Sequence, residues 1–189
     1  IDSLVSISVV GTRSMSEYGM RTAYKISYEL SAAGAVIISG MALGIDSVAA
    51  CAALDAGGRT VAVLGCGIDM VYPSQHKRLR DAIAANGAVI SEFPPGTRPD
   101  GRNFPLRNRI ISGLGLGTLV VEADAQSGAL ITARTALVQG RDIFAVPGNI
   151  GAANSGGTNT LIRDGANMVL SARDIIKVYE FPGRDAMDI

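Results

Sequence analysis

The sequence feature that most constrains the fold is a junction in which a helix-like stretch ends at a glycine and a short β-branched run follows. This junction recurs at five glycines: Gly34, Gly57, Gly87, Gly140 and Gly165. Glycine often takes the left-handed conformation that closes a helix, so we expect each of these residues to end one. The runs that follow are predicted strands, which cover residues 36–38, 61–64, 89–90, 143–146 and 168–170.

Two further β-branched runs, residues 5–10 and 118–121, bring the predicted number of strands to about seven. The runs are continuously apolar rather than alternating, which is typical of strands covered by helices on both faces. This pattern predicts an α/β fold: a doubly wound, mostly parallel sheet with helices on both faces, of the extended Rossmann-like type. The length suits about one domain. We assign residues 1–180 to that domain and expect residues 181–189 to be a C-terminal tail or a linker to a domain outside this sequence.

Composition and short motifs exclude several classes of protein. No apolar run approaches the roughly 18 residues that a membrane-spanning helix needs. Cys51 and Cys66 lack metal-type spacing and suit a reducing cytoplasm. Neither a G-x-G-x-x-G fingerprint nor a G-x-x-x-x-G-K-[ST] phosphate loop occurs. We therefore expect a cytoplasmic protein with no bound cofactor and no metal.

Small or charged residues follow the expected carboxyl ends of the strands. The first strand runs into Gly11-Thr12-Arg13, the second into Ser39-Gly40 and the fifth into Glu122. Ligands of open α/β sheets bind at this edge, where the strand order reverses, and small residues let a ligand approach the backbone. The alternative is that strand-to-helix turns need glycine for their own geometry.

Residues 104–109, Phe-Pro-Leu-Arg-Asn-Arg, concentrate groups that bind anions. Arginine guanidinium groups match phosphate oxygens in a bidentate manner. Asn108 is predicted as the N-cap of the helix that follows, whose free N–H groups also attract an anion. Arg107 would then lie in extended chain. Asp46 is similarly predicted as the N-cap of an earlier helix. The alternative for the two arginines is that they are solvated surface charges.

Positive charge is local although the net charge is zero. Residues 75–110 hold seven Lys/Arg against three Asp/Glu, and a basic region of this kind attracts a polyanion. Arg78 and Arg80 within it are expected to form a solvated helix face. Lys77 is either a phosphate contact or an exposed residue, and His76 is expected at the surface without a partner.

Ordered motifs from about residue 9 to residue 176 resemble those of the DNA-processing protein DprA (Smf) family. They include residues 10–13 (Val-Gly-Thr-Arg), 39–46 (Ser-Gly-Met-Ala-Leu-Gly-Ile-Asp), 104–109, 127–133 (Ser-Gly-Ala-Leu-Ile-Thr-Ala) and 144–148 (Phe-Ala-Val-Pro-Gly). The resemblance implies a binding protein that protects incoming single-stranded DNA in natural transformation, helps to load the RecA recombinase onto it and forms a homodimer. One departure is Ala50, where the family usually has a histidine.

The predicted DNA-binding residues combine the glycine turns with the basic segment: Gly11, Arg13, Ser39, Gly40, Lys77, Phe104, Arg107, Asn108 and Arg109. Arg13 is predicted to face the ligand, and Phe104 either stacks on an unpaired base or fills the core. Arg109 either contacts DNA or belongs to a structural ion pair. Leu161 and Ile162 are the candidate dimer contact, with burial in the core as the alternative.

A nucleotide-hydrolysing enzyme is the alternative function. Rossmann-like nucleoside-monophosphate phosphoribohydrolases carry a Gly-x-Gly-Thr-x-x-Glu turn at their catalytic site, and residues 115–122 (Gly-Leu-Gly-Thr-Leu-Val-Val-Glu) are superficially similar. Here Glu122 follows Thr118 by four residues rather than three, and no Pro-Gly-Gly precedes the turn. Because no Ser-His-Asp set or pair of carboxylates stands out elsewhere in the sequence, we expect a protein without catalytic residues.

Overall fold

One parallel sheet organises the computed structural model, which describes residues 5–179. Its strands are β1 Ser6–Val10, β2 Val36–Ser39, β3 Thr60–Leu64, β4 Ala88–Ser91, β5 Gly117–Val120, β6 Asp142–Ala145 and β7 Asn167–Met168. Every pairing is parallel, so the predicted fold class and strand number are confirmed. The predicted tail, residues 181–189, lies outside the described residues.

Helices follow the strands in alternation, as the glycine junctions predict. They are α1 Glu17–Ala32, α2 Ile45–Asp55, α3 Lys77–Asn86, α4 Asn103–Leu114, α5 Gly128–Val138, α6 Gly156–Arg163 and α7 Ala172–Ile176, with a 3₁₀ turn at Ser74–His76. Within residues 5–179, none of these helices has the length and apolar character needed to cross a membrane.

The order of the strands places a topological switch at the centre of the sheet. The order is β4-β3-β2-β1-β5-β6-β7, so the chain first builds outward from β1 and then returns to add β5 on its other side. Ile7 of β1 accordingly pairs with Ile37 on one side and with Gly117 on the other. A crevice forms at such a point, outside the carboxyl ends of the strands.

Helices cover both faces of the sheet. Side chains of α1, α2 and α7 pack with Ile7 and Val9 on one face, while those of α4 and α5 pack with Val10 on the other. The serines of β1 fix α4 in place, because the Ser6 and Ser8 hydroxyls donate hydrogen bonds to the carbonyls at the end of that helix. These contacts set α4 beside the switch point.

The glycine junctions adopt the predicted left-handed conformation at four of the five positions. The φ angles are 98° at Gly34, 70° at Gly57, 69° at Gly140 and 105° at Gly165. The prediction is wrong for Gly87, whose φ of −175° is extended backbone. Glycine is needed there for space instead, because a Cβ at Gly87 would lie 1.9 Å from the Thr60 carbonyl oxygen.

Helix α4 begins at Asn103, so the prediction of Asn108 as its N-cap is wrong. Pro105 occupies the first turn, where a missing N–H removes no intrahelical hydrogen bond. Proline therefore lies inside the helix rather than before it. Arg107 and Arg109 consequently lie on one helix, separated by about 200° of rotation, and they face different surroundings.

Candidate nucleic-acid interface

A cavity of about 550 Å³ lies at the switch point, between the end of β1 and the starts of α4 and α5. Five of the predicted binding residues line it: Gly11, Arg13, Phe104, Arg107 and Asn108. A smaller cavity of about 40 Å³ adjoins it and shares Arg13, Phe104 and Arg107 with Gly40. Residues from β1, β2 and α4, which are distant in sequence, therefore meet at one edge of the sheet.

Arg107 and Asp46 are two buried charged residues beneath this cavity, and the charge of each acts on the pKa of the other without a direct ion pair. Arg107 is 4% exposed and Asp46 is 6% exposed. The Nη1 atom of Arg107 donates to the carbonyl of Gly40 at 3.0 Å and to that of Val63, and its Nε donates to the Asn108 side-chain oxygen at 3.2 Å. Arg107 is thus held by the protein's own acceptors, although it also lines the cavity.

Burial and the charge of the other residue have opposite effects on the pKa of Asp46 and on that of Arg107. Burial raises the pKa of the Asp46 carboxyl, while the Arg107 guanidinium works to lower it. Burial lowers the pKa of Arg107, and Asp46 opposes that change. Because arginine stays protonated in proteins, the cavity keeps a fixed positive charge in its floor.

Asp46 does not cap α2, so that prediction is wrong. The N-cap is Gly44, and Asp46 is the second helical residue. Its carboxylate accepts a hydrogen bond from the Gly40 amide at 3.1 Å instead. The carboxylate therefore orders the loop between β2 and α2, and it does so next to Arg107.

Gly40 is required by the close approach of Arg107. A Cβ at Gly40 would lie 2.5 Å from Nη2 of Arg107. The next residue, Met41, is fully buried with a φ of 55°, an uncommon conformation for a residue with a side chain. This backbone turn presents the Gly40 carbonyl to Arg107 and the Gly40 amide to Asp46.

Phe104 lies between aromatic and cationic neighbours. Its ring stacks with that of Tyr72, with 5.6 Å between the centroids and 30° between the planes. The guanidinium carbon of Arg13 lies 5.0 Å from the Phe104 centroid, within the range of a cation–π contact. Phe104 is half-buried over Gly65, where a Cβ would come within 2.7 Å of the ring. It therefore both packs against the protein and lines the cavity.

Arg13 is exposed and projects from a turn that is anchored on both sides of it. This β1–α1 turn (residues 11–16) is held by Glu122, which is 4% exposed. The Glu122 carbonyl accepts from the Thr12 amide at 2.8 Å, and its carboxylate accepts from the Ser16 amide at 2.9 Å and from the Ser16 hydroxyl. Asn154 adds a hydrogen bond to the Ser14 carbonyl at 2.8 Å. Glu122 thus positions Arg13.

Three predicted binding residues do not line either cavity. Ser39 is buried and donates its hydroxyl to the Val9 carbonyl at 2.7 Å. Lys77 is exposed at the first residue of α3. Arg109 forms an ion pair with Glu92 on the outer side of α4, as one of the two interpretations predicts. His76 is not a free surface residue, because its Nδ1 donates to the buried Met41 carbonyl at 3.0 Å.

Several lining residues were missed by the sequence reasoning. Tyr72, Ser127, Gly128 and Thr132 line the cavity but were not predicted as binding residues. The motif 127–133 carried a signal, because Ser127-Gly128 is a helix start at the end of a strand-to-helix connection. Tyr72 carried none, since its stacking on Phe104 joins residues distant in the chain.

The enzyme-like turn lies away from the cavity. Gly117 begins β5, so residues 115–117 lie at the amino ends of the strands, the edge opposite the switch-point crevice. The Glu122 carboxylate lines a separate cavity of about 430 Å³ with Tyr18 and Asn154. Within the described residues, no second carboxylate lines that cavity.

The fold and site define a class of Rossmann-like α/β proteins that place a cationic and aromatic cavity at the switch point of the sheet. Residues 1–180 match the family model described as DNA recombination-mediator protein A, and the chain belongs to that family. The DNA processing protein DprA of Streptococcus pneumoniae is 45% identical over 175 residues. That alignment covers 93% of this chain and 62% of the relative, so the chain spans about three fifths of the relative's length.

Solved structures show the same architecture. DprA from Streptococcus pneumoniae superposes with a TM-score of 0.89 over 94% of this chain and 62% of that chain, at 45% identity. DNA processing protein A from Helicobacter pylori, whose structure was described for its single-stranded DNA binding mode, gives a TM-score of 0.86 at 30% identity. That match covers 94% of this chain and 80% of the other.

Proposed function

We propose that this chain binds single-stranded DNA in the cavity at the switch point, as part of a DNA-processing protein. The observation that carries the proposal is the exposed Arg13 guanidinium beside the stacked rings of Phe104 and Tyr72. A cation contacts a phosphate, while an aromatic face stacks on an unpaired base and is indifferent to its identity. A duplex keeps its bases stacked inside and offers no such partner.

The buried Arg107 supports this assignment, because its guanidinium adds positive charge beneath the cavity. Gly11 and Gly40 line the two cavities, and the absence of a side chain at each leaves room for Ile45 and Arg107, respectively. We assign direct contact to Arg13 and Phe104 first. The contacts predicted for Ser39, Lys77 and Arg109 stay predictions, because these residues lie outside the cavity lining.

The relatives support a role in the uptake and recombination of DNA. The name of the Streptococcus pneumoniae relative refers to DNA processing, and the Helicobacter pylori structure was described with a single-stranded DNA binding mode. We propose that residues 1–180 form the DNA-binding unit of a cytoplasmic protein that protects incoming single strands in natural transformation and helps to load RecA onto them.

A titration with labelled oligo(dT) and with a duplex of equal length, each across a salt series, tests the binding proposal. We expect preference for the single strand and a steep loss of affinity with salt, with a log–log slope of about −0.7 for each phosphate contacted. Preference for the duplex, or affinity that does not change with salt, would contradict it.

We also propose that the chain acts by binding and not by catalysis. The phosphoribohydrolase alternative is not favoured, because its Gly-x-Gly-Thr counterpart lies at the edge of the sheet opposite the cavity. Incubation with nucleoside monophosphates, followed by chromatography of the products, distinguishes the two functions. Release of free base at a rate proportional to protein concentration would favour the enzyme.

The homodimer is proposed from the family resemblance. Leu161 packs against the apolar core beside α5, whereas Ile162 is half-buried on α6, so Ile162 offers the cleaner test of the predicted contact. Ile162→Asp should shift the sedimentation coefficient from dimer to monomer, while Val138→Asp, at an exposed position on α5, should not. A wild-type protein that sediments as a monomer at high concentration would refute the dimer.

A further inference from the structure

The wall of the cavity formed by α4 and α5 carries polar groups that the binding proposal above does not use. Gly128 is the first residue of α5, and Ser127 is its N-cap. The Ser127 hydroxyl accepts from the Ala129 amide at 3.3 Å and the Ser127 carbonyl accepts from the Leu130 amide. Within residues 5–179 the Gly128 amide has no acceptor, and nothing lies within 4 Å of the position that a Cβ there would occupy.

Thr132 supplies an independent indication of a ligand. It lines the cavity and is 2% exposed, yet its hydroxyl has no hydrogen-bond partner in the part of the chain that the structure describes. Buried hydroxyl groups are normally paired: those of Thr12, Thr60 and Thr158 are, whereas those of Ser27 and Thr118, which do not line the cavity, are not. An unpaired hydroxyl on a cavity wall indicates that a ligand completes its hydrogen bonding.

Asn108 adds a third group to the same wall. Its side-chain oxygen accepts from Nε of Arg107, which leaves its amide NH₂ as a donor without a partner among the described residues. Asn108, Gly128 and Thr132 all line the one cavity. Three donors beside a helix N-terminus, whose dipole favours negative charge, match the oxygens of a phosphate group.

The charges nearby are compatible with an anion. No acidic residue lies in the first turn of α5. Asp124 lines the cavity, and its carboxylate accepts from the Gln126 amide at 2.7 Å. Asp46 lines it as well, and the charges of Arg107 and Arg13, which also line it, act against the charge of that carboxylate.

We propose that this wall, the α5 phosphate seat (Asn108, Gly128 and Thr132), binds one phosphate of a nucleic-acid strand whose neighbouring nucleotide contacts Arg13 and Phe104. This inference rests on the proposed binding of single-stranded DNA, and it adds that the strand crosses the cavity from Arg13 to α5. The phosphate is either an internal phosphodiester or the 5′-terminal monoester. Both present the same oxygens to the seat.

Proline at position 128 gives a selective test. It removes the Gly128 N–H, while proline at the first position of a helix is well tolerated, and the extended ψ of 136° at Ser127 suits a residue before proline. Gly128→Ala is the matched control, because it keeps the N–H and its Cβ meets no atom within 4 Å. Thr132→Val removes the hydroxyl at nearly constant volume.

Oligo(dT) affinity should fall about tenfold to a hundredfold for Gly128→Pro, as expected for loss of a charge-assisted hydrogen bond. The affinity of Thr132→Val should fall as well, and Gly128→Ala, which keeps the N–H, should lose less affinity than Gly128→Pro. The salt slope should be retained in Gly128→Pro, because no cation is lost, whereas Arg13→Ala should flatten it by about 0.7.

Comparison of 5′-phosphorylated with 5′-hydroxyl oligo(dT) identifies which kind of phosphate the seat binds. A loss confined to the phosphorylated strand indicates the terminal monoester, and an equal loss indicates an internal phosphodiester.

Wild-type affinity in both Gly128→Pro and Thr132→Val would overturn the seat, while a continued loss in Arg13→Ala would leave the proposed function intact. Absence of oligo(dT) binding by the wild type would refute the proposed function itself, and the seat with it. Melting curves accompany each titration. If Gly128→Pro lowers the melting temperature, the affinity of Thr132→Val becomes the test of the seat. An affinity of Thr132→Val equal to that of the wild type then refutes the seat.

Discussion

Replacement of Arg107 by methionine should destabilise the fold, because this arginine is a buried structural charge as well as part of the cavity. Methionine keeps much of the aliphatic volume but removes the guanidinium. The buried Asp46 carboxyl then loses the favourable charge of Arg107, and the Gly40 and Val63 carbonyls lose their charged donor. Loss of hydrogen bonds to a buried charged group costs about 1.5–3 kcal/mol.

The magnitude can be converted into a melting temperature. A chain of 189 residues loses about 2–4 °C for each kcal/mol, so Arg107→Met should melt about 3–12 °C below the wild type. The chain contains no tryptophan, so far-ultraviolet circular dichroism at neutral pH is the appropriate signal. Urea unfolding followed by the same signal gives the change in free energy directly.

Arg109→Met is the matched control, since it changes the same residue type two positions further along α4. Its ion pair with Glu92 is solvent-exposed, and such pairs contribute less than about 1 kcal/mol. If Arg107→Met is as stable as Arg109→Met, the buried Arg107 guanidinium does not stabilise the protein, and the assignment of Arg107 to the structure beneath the cavity is wrong.

Two further substitutions test the supports of the site. Gly40→Ala places a Cβ against Nη2 of Arg107 and should lower both stability and oligo(dT) affinity. Gly156→Ala, where a Cβ meets nothing within 4 Å, should change neither, and equal melting temperatures of the two variants would refute the close approach at Gly40. Glu122→Ala removes the acceptor of the Ser16 amide and hydroxyl and should cost about 1.5–3 kcal/mol while weakening DNA binding through a loosened β1–α1 turn. Unchanged affinity in a folded Glu122→Ala variant would show that Arg13 does not depend on that carboxylate.

The sheet was predictable from the sequence because its signals are local. Short β-branched runs, five of them after helix-ending glycines and two identified separately, predicted the strands to within a few residues, and their continuous apolar character indicated helices on both faces. The start of α4 was not predictable from the same rules. Pro105 looks like a boundary, but a first-turn proline is equally compatible with a helix that begins two residues earlier.

The candidate site was predictable only in part, for a physical reason. Arg13 and Phe104 follow from residue type and position at the strand ends. The hydrogen bond from Arg107 to the Gly40 carbonyl and that from the Ser16 amide to Glu122 join segments far apart in the chain, so no local pattern predicts them. Arg107 was expected in extended chain before the helix. It lies within α4 instead, where its guanidinium is buried and donates to the backbone carbonyls of Gly40 and Val63.

The position of the DNA itself is the central claim, and photo-crosslinking measures it most directly. Oligo(dT) carrying 5-iododeoxyuridine, irradiated in complex with the wild-type protein and digested, yields crosslinked peptides that mass spectrometry identifies. We expect crosslinks at Phe104 or Tyr72, the aromatic pair of the cavity, and their loss in Arg13→Ala. Crosslinks confined to Tyr24 and Tyr28, the exposed stacked pair on α1, would place the strand on another face and refute binding in the cavity.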